Sequence, residues 1–326
     1  MPSRPVEPNA HPLLAIPEIE YRETWVEKLK DLQVYGPTVA VVEKGNRLLA
    51  DVSVEWGRKA EESWTFRRFC LPKAEKLAGK TLVLASTGGD TYFHWMTDVL
   101  PRLRLIREAG FEAAAFHHVL VNGTDKPFQK ETLEMLGLPL SLCRTFPRNE
   151  TVYLCEEAVV PSLPGISGVV PPETIRFLRE LFVRPGSPDE KRLFLGRGRV
   201  GHRELIQERE IRRTLERRGF ESVECSDLSV RQQAERFASA SVVVVAHGAA
   251  ASNLAFCRPG TRVLELFGPE YVNPCYRDLC VAADLCHAAV IGNGEDWRLN
   301  LDHNRPSAPI TASANLVEKI INDWGL

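Results

Sequence analysis

From about position 190 onward the chain alternates short runs of consecutive apolar residues with longer amphipathic stretches. The runs at 192–195, 222–225, 241–246, 262–267 and 287–291 have strand length, and the stretches at 204–218, 230–239, 249–256 and 274–284 have helix length and period. Ser241-Val-Val-Val-Val-Ala246 has the unbroken apolarity of a strand covered on both faces. A β-α-β series joined by right-handed crossovers closes into a doubly wound parallel sheet, which binds ligands outside the carboxyl ends of its strands.

The first half is less regular. Strands are expected at 38–43 and 47–56, joined by a hairpin about Lys44-Gly45-Asn46, and again at 81–85 and 116–121. Helical periodicity covers 92–108 and 127–136. Pro-rich segments at 160–172 and 184–188 flank a helix at 173–182. The pattern predicts an α/β domain over 1–185, a second over 186–311, a cleft between them, and a terminal helix in 312–326 that packs back on the first domain.

Composition narrows the classes. The 326 residues suit about two domains. Lys+Arg 41 against Asp+Glu 43 gives a net charge of -2, so no global attraction to nucleic acid or anionic membrane is encoded. The longest aliphatic stretch, 242–246, is far short of the roughly 20 residues that cross a bilayer. Residues 1–12 lack the basic flank and apolar run of an export signal, and the eight cysteines include no C-x-x-C pair. Reduced core thiols in a cytoplasmic protein are the expectation.

Several stretches could carry chemistry. Gly196-Arg-Gly-Arg-Val-Gly201 matches G-x-G-x-x-G between a strand and a helix. Arg197, Arg199 and Arg203 crowd that loop with charge, which suits a diphosphate better than a nicotinamide dinucleotide, while a solvated basic turn stays open. The competing oxidoreductase reading uses Gly196, Gly198 and Gly201, with Glu221 or Glu224 as the ribose carboxylate. His247-Gly-Ala-Ala-Ala-Ser-Asn253 opens a helix with small residues, leaving amides open to an anion, or merely allowing tight packing. Glu265 lies in an apolar strand and needs a partner, a ribose hydroxyl or a structural arginine. His94 and Asp98, four apart, share one helical face and can form an oriented base, or can be structural. No G-x-S-x-G, H-E-x-x-H, P-loop or D-x-D motif is present.

Four of these stretches together resemble glycosyltransferase family 61. They are Asp90-Thr-Tyr-Phe-His-Trp-Met-Thr-Asp-Val-Leu-Pro-Arg102, Leu195-Gly-Arg197 with Arg203 to Glu208, His247-Gly-Ala with Asn253 to Gly260, and Val263-Leu-Glu-Leu266. Gly196 and Gln207 stand where the family usually has Ser and Asn. The resemblance implies two Rossmann-like domains facing across a cleft (a GT-B-like arrangement), with 186–311 binding a nucleoside-diphosphate sugar. It also implies an inverting transfer to a glycan hydroxyl in bacterial polysaccharide or capsule biosynthesis. The missing D-x-D motif weakens a metal requirement, so no cofactor is expected, and the lack of a membrane-length apolar stretch limits any membrane association to a peripheral one. Donor binding then falls to Arg197, Arg203, His247, Gly248, Ala249, Asn253 and Glu265, and the base to Asp98 or His94. A non-catalytic nucleotide-sugar or glycan-binding protein is the remaining alternative.

Overall fold

The computed structural model describes residues 14, 21–36, 38–63, 65, 73–147, 150–166, 168–184, 186, 190–198, 200–292 and 305–326. Arg199, Cys70 and parts of the 184–188 segment lie outside them. The chain divides into two compact units, 20–177 and one built on 178–326, the change falling inside a helix rather than at 185/186.

The first unit carries a seven-stranded mixed sheet. Its strands are β1 (Val26–Tyr35), β2 (Ala40–Glu43), β3 (Arg47–Leu48), β4 (Glu75–Val83), β5 (His118–Leu120), β6 (Cys143–Arg144) and β7 (Val152–Pro161), in the order β3-β2-β1-β7-β4-β5-β6. β1 runs antiparallel to both β2 and β7, whereas β7, β4, β5 and β6 are mutually parallel. In chain order that parallel block reads 3-2-1-4, the order of half a Rossmann sheet. The hairpin expected at 44–46 is present, with Gly45 and Asn46 at φ 88° and 62°. The strand expected over 47–56 ends at Leu48, and β1 and β7 were not foreseen at all.

The periodicity at 92–108 resolves into α1 (Tyr92–His94), a π-turn over Trp95–Val99 and α2 (Arg102–Glu108). Leu100 N–H bonds to Trp95 O, five residues back, at 2.9 Å. The bulge falls just before Pro101, which has no N–H to continue an α-helical ladder. α3 (Pro127–Met135) and α4 (Pro172–Phe182) follow.

The second unit matches its sequence pattern closely. β8 (Lys191–Leu195), α5 (Glu208–Glu216), β9 (Phe220–Ser222), α6 (Val230–Ala238), β10 (Ala240–Ala246), a 3-10 segment (Ala249–Phe256), β11 (Arg262–Phe267), α7 (Cys275–Ala282) and β12 (Cys286–Ile291) alternate as expected. All pairings are parallel, in the order β12-β11-β10-β8-β9. That is the flavodoxin-like order 2-1-3-4-5 read from the other edge, whose switch point lies between β8 and β10. The 3-10 segment replaces the expected α-helix, and Ser252 Oγ and Asn253 Nδ2 bond back to the carbonyls of Ala249 and Ala250 at 2.7 and 3.0 Å.

The terminal helix α8 (Ala314–Asp323) corrects the expectation that it covers the first domain. Val317, Ile320 and Ile321 recur on one face and join Phe194, Ile211, Leu215, Val244 and Leu264 in the core of the second unit. Ser313 Oγ caps its Leu316 N–H at 3.2 Å, and Gln207 Oε1 accepts from Ala314 N–H at 3.1 Å.

Candidate functional site

The switch point of the parallel sheet is where the loops after β8 and β10 diverge. Arg197 follows β8 and Gly248 follows β10. A Cβ on Gly248 would fall on the Arg197 guanidinium, so the glycine is what lets the arginine lie across this loop. Arg197 Nε donates to Arg203 O at 3.1 Å and Nη2 to His202 O at 3.3 Å, while Nη1, against Gly248, has no hydrogen-bond partner among the described residues. Burial pushes the Arg197 pKa down and the neighbouring Arg203 adds to the shift, against the pull of Tyr276 and Glu208. Arg203, at φ 53°, donates from Nε to Pro306 O at 2.8 Å and lies 4.8 Å over the Tyr271 ring. Neither arginine has an ion-pair partner among the described residues, although the chain holds 43 acidic side chains. Two half-buried guanidiniums sharing one loop, neither in a salt bridge among the described residues, have the chemistry to hold an anion.

The glycine loop itself is already occupied. Glu208, at the start of α5, accepts the N–H of Arg197 at 2.8 Å and that of Gly198 at 3.3 Å, and its other oxygen accepts from Arg212 Nη2 at 2.9 Å. A Cβ on Gly196 would meet this carboxylate. The backbone cradle that a dinucleotide pyrophosphate would need is therefore filled by the chain's own anion. Glu224, a candidate ribose carboxylate in the oxidoreductase reading, approaches Gly198 and pairs with Arg212 at 3.4 Å. Its partner Glu221 pairs with Lys191 and Arg236. The loop contributes guanidiniums, and the amides of residues 197 and 198 are spent on Glu208.

His247 and Glu265 are brought together. His247 is 3% exposed, its Nδ1 lies 2.6 Å from Glu265 Oε1, and the ring stacks on Phe267 at 4.8 Å. The second carboxylate oxygen of Glu265 lies 2.8 Å from His287 Nε2, and Glu265 is completely buried. Burial raises this carboxyl, but hydrogen bonds and charge from the two histidines outweigh it and hold the pKa below the ordinary value. Where the sequence suggested a ribose hydroxyl or a structural arginine as the partner of Glu265, the structure gives it two histidines, one on each oxygen. With the carboxylate accepting, His247 presents Nδ1–H to Glu265, and Nε2 is its free nitrogen among the described residues.

Asn253 is likewise corrected. Fully buried, it donates to Gln233 Oε1 at 2.7 Å and to Ala250 O, tying the 3-10 segment to α6. Ala249, by contrast, is exposed at the first turn, beside Gly248.

In the first unit His94 Nδ1 lies 2.7 Å from Asp98 Oδ2, with side-chain exposures of 17% and 6%. Donation from Nδ1–H to the carboxylate leaves Nε2 as the bare nitrogen, the arrangement of an oriented general base. The preceding loop is fixed by Asn122, which accepts from Ser86 N–H at 3.0 Å and donates to Ser86 O at 2.7 Å. One turn further on, Arg102 is completely buried and donates to Leu84 O, Ala85 O and Pro161 O. Burial lowers its pKa to about 9 while Asp98 pulls it up, so the guanidinium is charged at neutral pH.

Sequence reasoning missed Glu208, His287 and Trp56. Trp56 is 56% exposed, and its ring lies 4.8 Å from that of His94. No spacing signal links residues so far apart along the chain.

The second unit is a doubly wound α/β sheet with Arg197 and Arg203 at its switch point, the place where sheets of this class bind their ligands. The chain belongs to glycosyltransferase family 61: the Glycosyltransferase 61 family model matches residues 92–264, more than half of it. Membership supports glycosyltransferase activity and implies a sugar donor and an acceptor. No curated protein matches the chain. No helix among the described residues is long and apolar enough to cross a membrane. The seven described cysteines are free; Cys155, Cys257 and Cys280 are buried and Cys286 is exposed.

Proposed function

We propose that this chain is an inverting glycosyltransferase that moves a sugar from a nucleoside-diphosphate donor to a glycan hydroxyl in polysaccharide biosynthesis. The observation that carries the reading is the pair Arg197 and Arg203, two arginines at the switch point of the parallel sheet that form no salt bridge among the described residues. They neutralise the diphosphate in the ground state and, more strongly, as it departs with a full extra charge. Gly248 and Ala249 add amides, and His247, its ring oriented through Nδ1 by the Glu265 carboxylate, turns Nε2 toward the ligand. The two guanidiniums supply the charge neutralisation that a divalent ion gives elsewhere, so the transfer proceeds without a metal.

The acceptor hydroxyl loses its proton to His94 Nε2, with Asp98 holding the ring and stabilising the imidazolium that forms. The acceptor oxygen attacks the anomeric carbon from the face opposite the leaving diphosphate, so one bond forms as one breaks and configuration inverts.

Calorimetric titration with UDP, GDP, ADP, CDP and NAD+ tests this. A nucleoside diphosphate is expected to bind wild type, with Arg197→Ala at least tenfold weaker and the complex unaffected by EDTA. Binding of NAD+ with no nucleoside diphosphate bound would overturn the reading. Acceptor-dependent release of the diphosphate separates an enzyme from a binding protein.

A further inference from the structure

We infer that Tyr271 is the positioning residue of the donor grip: its ring carries the Arg203 guanidinium and packs on His247, tying the two loops of the switch point together. The inference rests on the nucleoside-diphosphate reading and goes beyond it by assigning the residue that sets the geometry of the grip.

Arg203 and His247 belong to different loops, one after β8 and one after β10, and no hydrogen bond joins them among the described residues. Tyr271 touches both. The Arg203 guanidinium lies 4.8 Å from its ring centroid, and the His247 ring lies 5.4 Å away at an interplanar angle of 64°. Tyr271 comes from a third loop, the turn after β11 in which its N–H bonds to Gly268 O at 3.4 Å. One half-buried ring therefore joins the loops that follow three adjacent strands, β11, β10 and β8.

The turn and the arginine share a backing. Arg203 N–H bonds to Ser307 O at 3.2 Å and its Nε donates to Pro306 O at 2.8 Å, while Arg305 N–H bonds to Glu270 O at 3.1 Å. The segment 305–309 thus fixes both partners of the cation–π contact, and it packs close to the turn because position 268 is glycine: a Cβ there would meet Pro309 O. Arg203 also sits at φ 53°, left-handed backbone that a residue with a side chain seldom adopts. An uncommon backbone held from several sides at a binding loop points to a side chain whose direction matters.

A long arginine side chain loses rotamer freedom when it clamps a diphosphate, and that loss weakens binding. Contact with the Tyr271 ring removes the freedom in advance and uses none of the N–H donors, which lie in the guanidinium plane. Arg203 Nη1 and Nη2 make no hydrogen bond among the described residues, so both serve phosphate oxygens. The tyrosine hydroxyl adds little, since its hydrogen bond from Asn273 Nδ2 is 3.5 Å long. The ring face is what the role requires.

The test is calorimetric titration of the full chain with UDP, GDP, ADP, CDP and inorganic pyrophosphate. Tyr271→Leu keeps bulk and loses the π-face, so it is expected to weaken the tightest of these about fivefold or more, whereas Tyr271→Phe keeps most of the affinity. A ring that only fills space is replaced by leucine without loss, so equal affinity in Tyr271→Leu overturns the positioning role. A loss in Tyr271→Phe as large as in Tyr271→Leu overturns it as well. Urea unfolding of Tyr271→Leu, Arg203→Ala and the double variant shows that each is folded and closes a cycle that needs no ligand: non-additive stabilities support the contact, and additive ones overturn it. Failure of wild type to bind any of the five probes overturns the donor reading instead, and the urea cycle then decides for Tyr271 by itself.

Discussion

Glu208 Oε2 accepts the backbone N–H of Arg197 at 2.8 Å, so the glycine loop that looks made for a pyrophosphate is closed by a carboxylate of the same chain. The contact also explains why Gly196 carries no side chain, since a Cβ there would land on the Glu208 carboxyl. Gly196→Ala is expected to push Glu208 off both amides and cost about 1–2 kcal/mol of stability, read from the urea midpoint. Glu208→Gln, which keeps the shape and loses the charge, should cost less. An unchanged midpoint in Gly196→Ala would show that the loop holds Arg197 without Glu208.

The Glu265 carboxyl, held below its ordinary value of 4.5 by His247 and His287, makes a specific acid signature. A group whose pKa is lower folded than unfolded contributes stability that is complete above its unfolded value. That contribution is lost as pH falls through 4.5 toward the folded value. Thermal unfolding between pH 6 and pH 3, measured relative to the ordinary value of 4.5, should therefore fall more steeply for wild type than for Glu265→Gln. At neutral pH Glu265→Gln should be the less stable protein, and nucleoside-diphosphate affinity should drop with it because His247 loses the carboxylate that orients its ring. Parallel acid limbs would remove Glu265 from that role.

The second unit was legible because β8, β10 and β11 are buried on both faces and write continuous apolar runs such as Leu193-Phe-Leu195 and Val242-Val-Val-Val245. β1 escaped because Lys28, Lys30 and Asp31 interrupt Leu29 and Leu32, a spacing of three that suits a helix as well as a strand. β7 escaped because Glu156 and Glu157 sit side by side in it and Pro161 ends it, inside a stretch that looked like a linker. The same limit applies to chemistry. His94 and Asp98 are one helical turn apart and could be paired on paper, as could Arg197 and Arg203 within one loop. Glu265 looked available because its partners, 18 and 22 residues away, meet it only across parallel strand ends. Trp56 meets His94 through a loop whose sequence carries no periodicity.

His94 and Asp98 make separable contributions to turnover. His94→Ala removes the base and should lower acceptor-dependent release of the diphosphate by about 10²–10⁴-fold. Asp98→Asn leaves the ring in place but lets an amide N–H face Nδ1, which favours the tautomer with its proton on Nε2, so the loss should be comparable. Nucleoside-diphosphate affinity should stay within twofold of wild type in both. Full turnover in either variant would exclude the pair as the base.

Arg102 makes the firmest stability prediction. Its guanidinium is completely buried with no carboxylate in salt-bridge contact among the described residues, and its Nη1 bonds the carbonyls of Leu84 and Ala85, each at 2.9 Å, while Nε reaches Pro161 O at 3.1 Å. Those carbonyls lie at the carboxyl ends of β4 and β7, adjacent parallel strands at the point where the half-Rossmann order reverses. Strand ends that diverge leave carbonyls with no ladder partner, and a planar fork of five donors can satisfy two strands at once. Lysine cannot, because its donors radiate from one atom. Arg102→Lys and Arg102→Met should therefore each lose about 3 kcal/mol or more. Methionine fills the space and removes the buried charge, so it should be the milder of the two. A urea midpoint within about 1 kcal/mol of wild type for Arg102→Lys would mean that any buried cation suffices, and that the fork geometry is not what closes the strand ends.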